Sequence, residues 1–146
     1  MMTDSESQAI WQLIRYPERS LLSYIDRGQV RTLSVRMVQN NFDGTLWFPV
    51  LWRDMAGRDL RVNDAVCLVF RNQVKNQEVC LHGIANFHQD ADLMGTLMAQ
   101  SQARNSDSDS TDFCNQDDCV LLEIHVYQVE TWDLDTGCHR MLFSDQ

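Results

Sequence analysis

Arg36 sits inside an otherwise apolar run, Val35-Arg36-Met37-Val38, in a chain whose positive charge comes from eleven arginines and the single lysine Lys75. A guanidinium held on a strand beside a groove suits a phosphate, because its planar fork makes paired, charge-assisted hydrogen bonds. Strand alternation leaves its direction open by one residue, so Arg36 fits an outward ion pair with a carboxylate equally well. Arg53, Arg58 and Arg61 form a second basic group around Gly57. They either extend an anion site or are solvated loop charges. Trp47, Trp52 and Trp132 are able to flank a planar ring, although aromatic side chains also gather at subunit seams without any ligand.

Other chemistry is poorly supported by spacing. His82, His88, His125 and His139 lack a metal-type His-x-x-x-His pattern. Five cysteines (Cys67, Cys80, Cys114, Cys119 and Cys138) include no Cys-x-x-Cys pair. Cys114 and Cys119 with Asp117 and Asp118 make only a weak case for a metal. Cys138 and His139 are adjacent, so on a strand they face opposite ways and do not form a nucleophile–base pair. Cys67 and Cys80 fall inside apolar strand patterns and read as small buried hydrophobes. The Asp107, Asp109 and Asp112 run reads as a solvated loop.

The elements that position these residues are legible from pattern. Thr3-Asp4-Ser5-Glu6 has the form of a capping box, and Ile10, Trp11 and Ile14 share one face of the helix it opens. Pro17 limits that helix to about ten residues. Ser20 to Asp26 and Gln29 to Asn40 read as strands joined at Arg27-Gly28. Asp43-Gly44 turns the second strand into Thr45-Leu46-Trp47-Phe48, which makes Val35–Val38 and Thr45–Phe48 a hairpin. After a polar loop from Arg53 to Val62, Ala65 to Phe70 is apolar on both faces, as a central strand should be.

Gln77 to Phe87 pairs back on it through the Asn72–Asn76 turn, and Gly83 marks a bulge or a close backbone approach. Asp90 opens a second helix striped by Leu93, Met94, Leu97 and Met98. Residues 101–118 read as a mobile, Ser- and Asp-rich loop. Val120, Leu122, Ile124 and Val126 then alternate with Glu123, His125 and Tyr127 in a long strand that ends at Trp132-Asp133. Asp135-Thr136-Gly137 turns into a last strand, Cys138 to Phe143. With no repeat and no linker, residues 1–146 read as a single domain, mainly β. The expected architecture is a six- to seven-stranded barrel with two or three flanking helices.

A net charge of −9 argues against nucleic-acid binding, which demands clustered positive charge. No apolar run approaches the roughly 20 residues that span a bilayer. The acidic start lacks the basic and apolar segments of a secretory signal, so a cytoplasmic protein with reduced thiols is expected.

The order of these segments resembles the flavin-binding split barrels of the pyridoxamine 5'-phosphate oxidase-like superfamily, general stress protein branch. The resemblance runs from about Ser7 to Asp133. It is carried by the Arg-Met-Val strand, the Asp-Gly turn, the Leu-Trp-Phe strand and Asn63-Asp64-Ala65-Val66-Cys67-Leu68. Leu81-His82-Gly83-Ile84-Ala85 and the closing strand through Glu130-Thr131-Trp132-Asp133 complete it. It implies a homodimer that binds FMN at the subunit interface and works as a flavin-dependent oxidoreductase of unassigned substrate. By the same resemblance Arg36, Met37, Val38, Val50, Leu51, Trp52, Arg53, Arg58 and Trp132 line the cofactor site.

One segment departs from the pattern. Where the family carries Thr-x-x-x-Ser-Arg/Lys-Lys for the phosphate, this chain has Val50, Asp54, Met55 and Ala56. A carboxylate there opposes a phosphate dianion. A split-barrel homodimer that has lost FMN and serves as a binding or interaction module therefore stands as an alternative. Another is a barrel that holds a different planar ligand, such as haem.

Overall fold

The structure is a computed structural model and describes residues 2–17, 19–51, 64–88, 91–104 and 119–145. Helix α1 (Asp4–Ile14) begins where the capping box places it. The Thr3 hydroxyl accepts from the Glu6 N–H at 3.1 Å, and the Glu6 carboxylate accepts from the Thr3 N–H at 2.9 Å. Two of the helix's unpaired amino-terminal donors are satisfied in this way. Ile10, Leu13 and Ile14 turn inward, and the helix stops ahead of Pro17. Its far end is held by the buried Asn72, whose amide donates to the Leu13 carbonyl at 3.0 Å. The Asn72 side-chain Oδ1 accepts from the Lys75 N–H in the following turn.

Seven antiparallel strands form one sheet: β1 (Ser20–Asp26), β2 (Gln29–Val35), β3 (Thr45–Leu51), β4 (Asp64–Asn72), β5 (Gln77–His88), β6 (Cys119–Asp133) and β7 (His139–Ser144). Their spatial order is β2-β1-β4-β5-β6-β3, with β7 also on β6. The β1–β2 hairpin turns through Arg27 (φ 53°) and Gly28 (φ 79°). Both are left-handed, as a two-residue turn that matches strand twist requires. Fifteen-residue β6 organises the barrel. One edge pairs with β5 from Leu121 to Asp133, and the other is divided between β3 (residues 119–125) and β7 (residues 128–132). Leu22, Phe48, Phe70, Leu81, Leu122 and Ile124 fill its interior.

Gly83 shows both features expected of it. The β5–β6 register shifts between His82 and Gly83, and a Cβ at this position would strike the Ile124 side chain and lie 2.7 Å from the His125 carbonyl oxygen. The glycine lets β6 close over β5.

The hairpin expected between Val35–Val38 and Thr45–Phe48 does not form. β2 ends at Val35, not at Asn40, and β3 pairs with β6 instead. Val35, Met37, Val38 and Gln39 are all buried, which breaks the alternation a strand needs. Met37 enters the barrel core, whereas Val38 enters a second, smaller cluster. The Gln39 side chain takes the place of a ladder. Its amide nitrogen donates to the carbonyls of Asn41 (2.9 Å) and Thr45 (2.7 Å), and its oxygen accepts from the Trp47 N–H (2.7 Å).

The second cluster lies under helix α2 (Ala91–Arg104), where Met94 and Leu97 pack with Val38 and Leu121, flanked by Leu93 and Trp47. The apolar stripe thus does what its spacing implies. The helix covers residues 101–104, which the sequence assigns to a loop; residues 105–118 lie outside the described residues. The Arg53–Val62 loop and the Asp90 helix start do so as well. Among the described residues no helix is long and apolar enough to cross a membrane.

Candidate functional site

The residues implied in cofactor binding fall into three groups. Arg36 is half-buried at the exit of β2, immediately before the segment that bridges the two cores. The side chains of Met37, Val38 and Val50 are core residues, at 4, 0 and 5 % exposure, so only their main chain is available to a ligand. Leu51 pairs with Cys119 at the end of β3. Trp52, Arg53 and Arg58 lie outside the described residues.

Trp132 sits elsewhere. Val50 pairs with Val120 at the start of β6, and Trp132 lies twelve positions further along the same strand. At the rise of an extended strand that is about 40 Å of chain. Trp132 is 37 % exposed, and its ring lies against that of His139, 4.6 Å between centroids. Within one chain the Val50 end and the Trp132 end of β6 do not form a common site.

The outer face of the sheet carries a groove of about 290 Å³ whose lining includes Tyr24, Ile25, Val30, Cys67, His82 and Tyr127. This is at the lower edge of the size range for small-molecule sites. Ile25 and Val30 on its rim are among the large apolar side chains left exposed, together with Leu21. Beside the groove, register stacks chemistry from three strands. Cys67 on β4 lies opposite His82 on β5, and Cys80 on β5 lies opposite Glu130 on β6. The two sulfurs are 3.0 Å apart, and His82 Nε2 is 3.6 Å from Cys80 Sγ and 2.9 Å from Glu130 Oε2. His139 Nε2 meets the other Glu130 oxygen at 3.0 Å. Further along the sheet His88 and His125 share one Glu123 oxygen, at 3.0 and 3.1 Å.

No protein-family model matches the sequence, and no curated protein matches it. Solved structures do. General stress protein 26 from Bacillus anthracis superposes with a TM-score of 0.66 at 14 % identity, covering 92 % of this chain and 97 % of that one. A Clostridium acetobutylicum protein related to general stress protein 26 of B. subtilis, of the pyridoxinephosphate oxidase family, gives 0.67 at 10 % identity, covering 99 % and 98 %. An F420 reductase gives 0.60 at 14 % identity, covering 82 % and 94 %. The chain has the split-barrel fold of general stress protein 26.

The electrostatics of this split barrel are concentrated at the Cys–His–Glu cluster. The Cys67 thiol is brought down to about 7, first by a hydrogen bond from the Cys80 S–H and then by the nearby His82. The same contact pushes the Cys80 thiol up, and burial adds to that. Glu130 is held below the usual carboxylate range, first by its hydrogen bond to His82 and also by His139. Cys67 and Cys80 are therefore not the buried hydrophobes their strand context implies; both are half-buried on the outer face. Sequence spacing misses the cluster because strand register, not local spacing, sets Cys67 beside His82 and Cys80 beside Glu130. The one local signal is Cys80-x-His82, the period of two that puts both on one face of a strand.

Proposed function

We propose that this chain is an FMN-binding split barrel of the general stress protein type, a homodimer with the flavin at the subunit seam and a flavin-dependent oxidoreductase. The observation that carries this reading is the whole-chain correspondence of its barrel to general stress protein 26, a fold it also shares with an F420 reductase. The separation of Val50 and Trp132 along β6 supports the two-copy arrangement, because a second chain can bring its own Trp132 to the Arg36–Val50 end of the first. Leu21, Ile25 and Val30 offer apolar surface that a second copy would remove from water.

In this arrangement Arg36 holds the phosphate and an exposed Trp132 packs on the ring system. The donor set fits the group: a guanidinium for the dianion and an aromatic face for the isoalloxazine. The isoalloxazine, when bound, supplies the redox chemistry, and the chain supplies binding, orientation and exclusion of water.

The test is a visible spectrum of the purified protein before and after FMN addition. Flavin bands and a dimer by sedimentation are expected. Arg36→Ala should weaken FMN by about 1.5–3 kcal/mol, the scale of a charge-assisted bond. A colourless protein that ignores FMN removes the cofactor and leaves the second reading. That reading, a barrel acting as a binding module, is favoured by Asp54, Met55 and Ala56 standing where a hydroxyl and two cations would serve the phosphate.

A further inference from the structure

The geometry points to a soft divalent metal site, zinc by its ligand chemistry, formed by Cys67, Cys80 and His82 with the fourth position left to water. The two sulfurs and a ring nitrogen of His82 all lie within 4.8 Å of one another. Two thiolates and an imidazole are the donor set that selects zinc among common divalent ions. The Cys80–His82 separation fits an edge of a tetrahedral centre.

With metal–sulfur bonds of about 2.3 Å and metal–nitrogen bonds of about 2.05 Å, a sulfur–nitrogen edge is about 3.6 Å. The observed Cys80 Sγ–His82 Nε2 separation is 3.6 Å. His82 Nε2 is held by Glu130 Oε2 at 2.9 Å and would exchange that contact for the metal. A sulfur–sulfur edge is about 3.8 Å, against 3.0 Å between Cys67 and Cys80. That pair has to open by less than an ångström, and on side chains this requires only small rotations.

Two further features favour a metal there. The ligands stand on β4 and β5, neighbouring strands fixed by a long ladder, so the site is built on rigid elements. Cys67 and His82 also line the open groove, which gives an ion a way in. A Cys67–Cys80 disulfide is less well suited. The two residues are diagonal partners, since Cys67 faces His82 and Cys80 faces Val69. Diagonal neighbours stand further apart in the backbone than a relaxed disulfide prefers.

Metal binding would release the thiol protons of Cys67 and Cys80 to solvent. The test is an anaerobic titration of the reduced full-length protein with cobalt(II), followed by displacement with zinc. One cobalt per chain is expected, with a thiolate-to-cobalt charge-transfer band and the strong visible bands of tetrahedral cobalt. Cys67→Ser and Cys80→Ser should each abolish the charge-transfer band at stoichiometric cobalt. His82→Ala, which keeps both thiols but removes the nitrogen ligand, should weaken binding by at least about tenfold, the scale for removing even an outer partner of a metal ligand.

A Cys114→Ser/Cys119→Ser variant should titrate like the parent. Absence of the band at cobalt well above the protein concentration overturns the proposal. So does a band that survives Cys67→Ser or Cys80→Ser, or one that disappears with Cys114 and Cys119. Circular dichroism melts of each variant separate loss of the site from loss of the fold.

Discussion

Asn72 and Gln39 show how single polar residues fix this structure. Each is buried, at 1 and 4 % exposure, and each satisfies main-chain groups that no ladder reaches. Asn72→Ala leaves the Leu13 carbonyl and the Lys75 N–H without that partner, and a loss of about 1–3 kcal/mol is expected in urea unfolding. A midpoint unchanged from the parent would show that water replaces both bonds. The capping box makes a pH-dependent contribution. The Thr3 backbone N–H first, and the Thr3 hydroxyl next, lower the Glu6 carboxyl. A carboxyl lowered on folding stabilises the protein above its unfolded value, and that stabilisation is lost as the pH falls through the folded one. Glu6→Gln, which removes the titrating carboxyl, should therefore flatten the acid side of the stability profile. An acid limb identical to the parent's would assign it to other carboxyls.

Two elements pack against different cores, and this separates their expected mutational effects. Leu97 on α2 belongs to the small cluster with Val38, Met94 and Leu121, not to the barrel interior. Leu97→Ala should cost about 2–5 kcal/mol where the site is fully packed. Hydrogen exchange should quicken at α2 and around Val38 before the β4–β5 ladder; uniform quickening would mean one cooperative core. At β5, Gly83→Ala places a methyl group against Ile124 and the His125 carbonyl oxygen. Overpacking of this kind costs about 1–3 kcal/mol. Melting close to the parent's would show that β6 can slide at the bulge.

Across the whole molecule, the proposed arrangement couples assembly to the flavin. Ile25 and Val30 are exposed by 53 and 69 % and line the groove, so a charge at either should oppose a second copy without disturbing the core. Val30→Glu is expected to shift the protein to monomer in sedimentation and to lower FMN affinity in the same preparation. A monomeric variant with parental FMN affinity would confine the flavin to one subunit. Among the described residues β2 pairs with β1 alone, and Val30 stands on it among the exposed Gln29, Arg31, Thr32 and Ser34.

By itself the sequence determined the local grammar: the Thr3–Glu6 cap, the left-handed Arg27-Gly28 turn, the bulge at Gly83 and the long alternation of β6. Each is set by neighbours within a few residues, where capping, turn chemistry and side-chain period act directly. The resemblance carried by the order of these segments also anticipated the barrel. Only the tertiary structure decided that Val35–Val38 is not a hairpin arm, because burial on both sides and the Gln39 side chain outweigh the Asp43-Gly44 turn signal. It likewise decided that Cys67, His82 and Glu130 meet. Strand register sets such encounters, and register is fixed by the packing of the whole sheet rather than by any one segment.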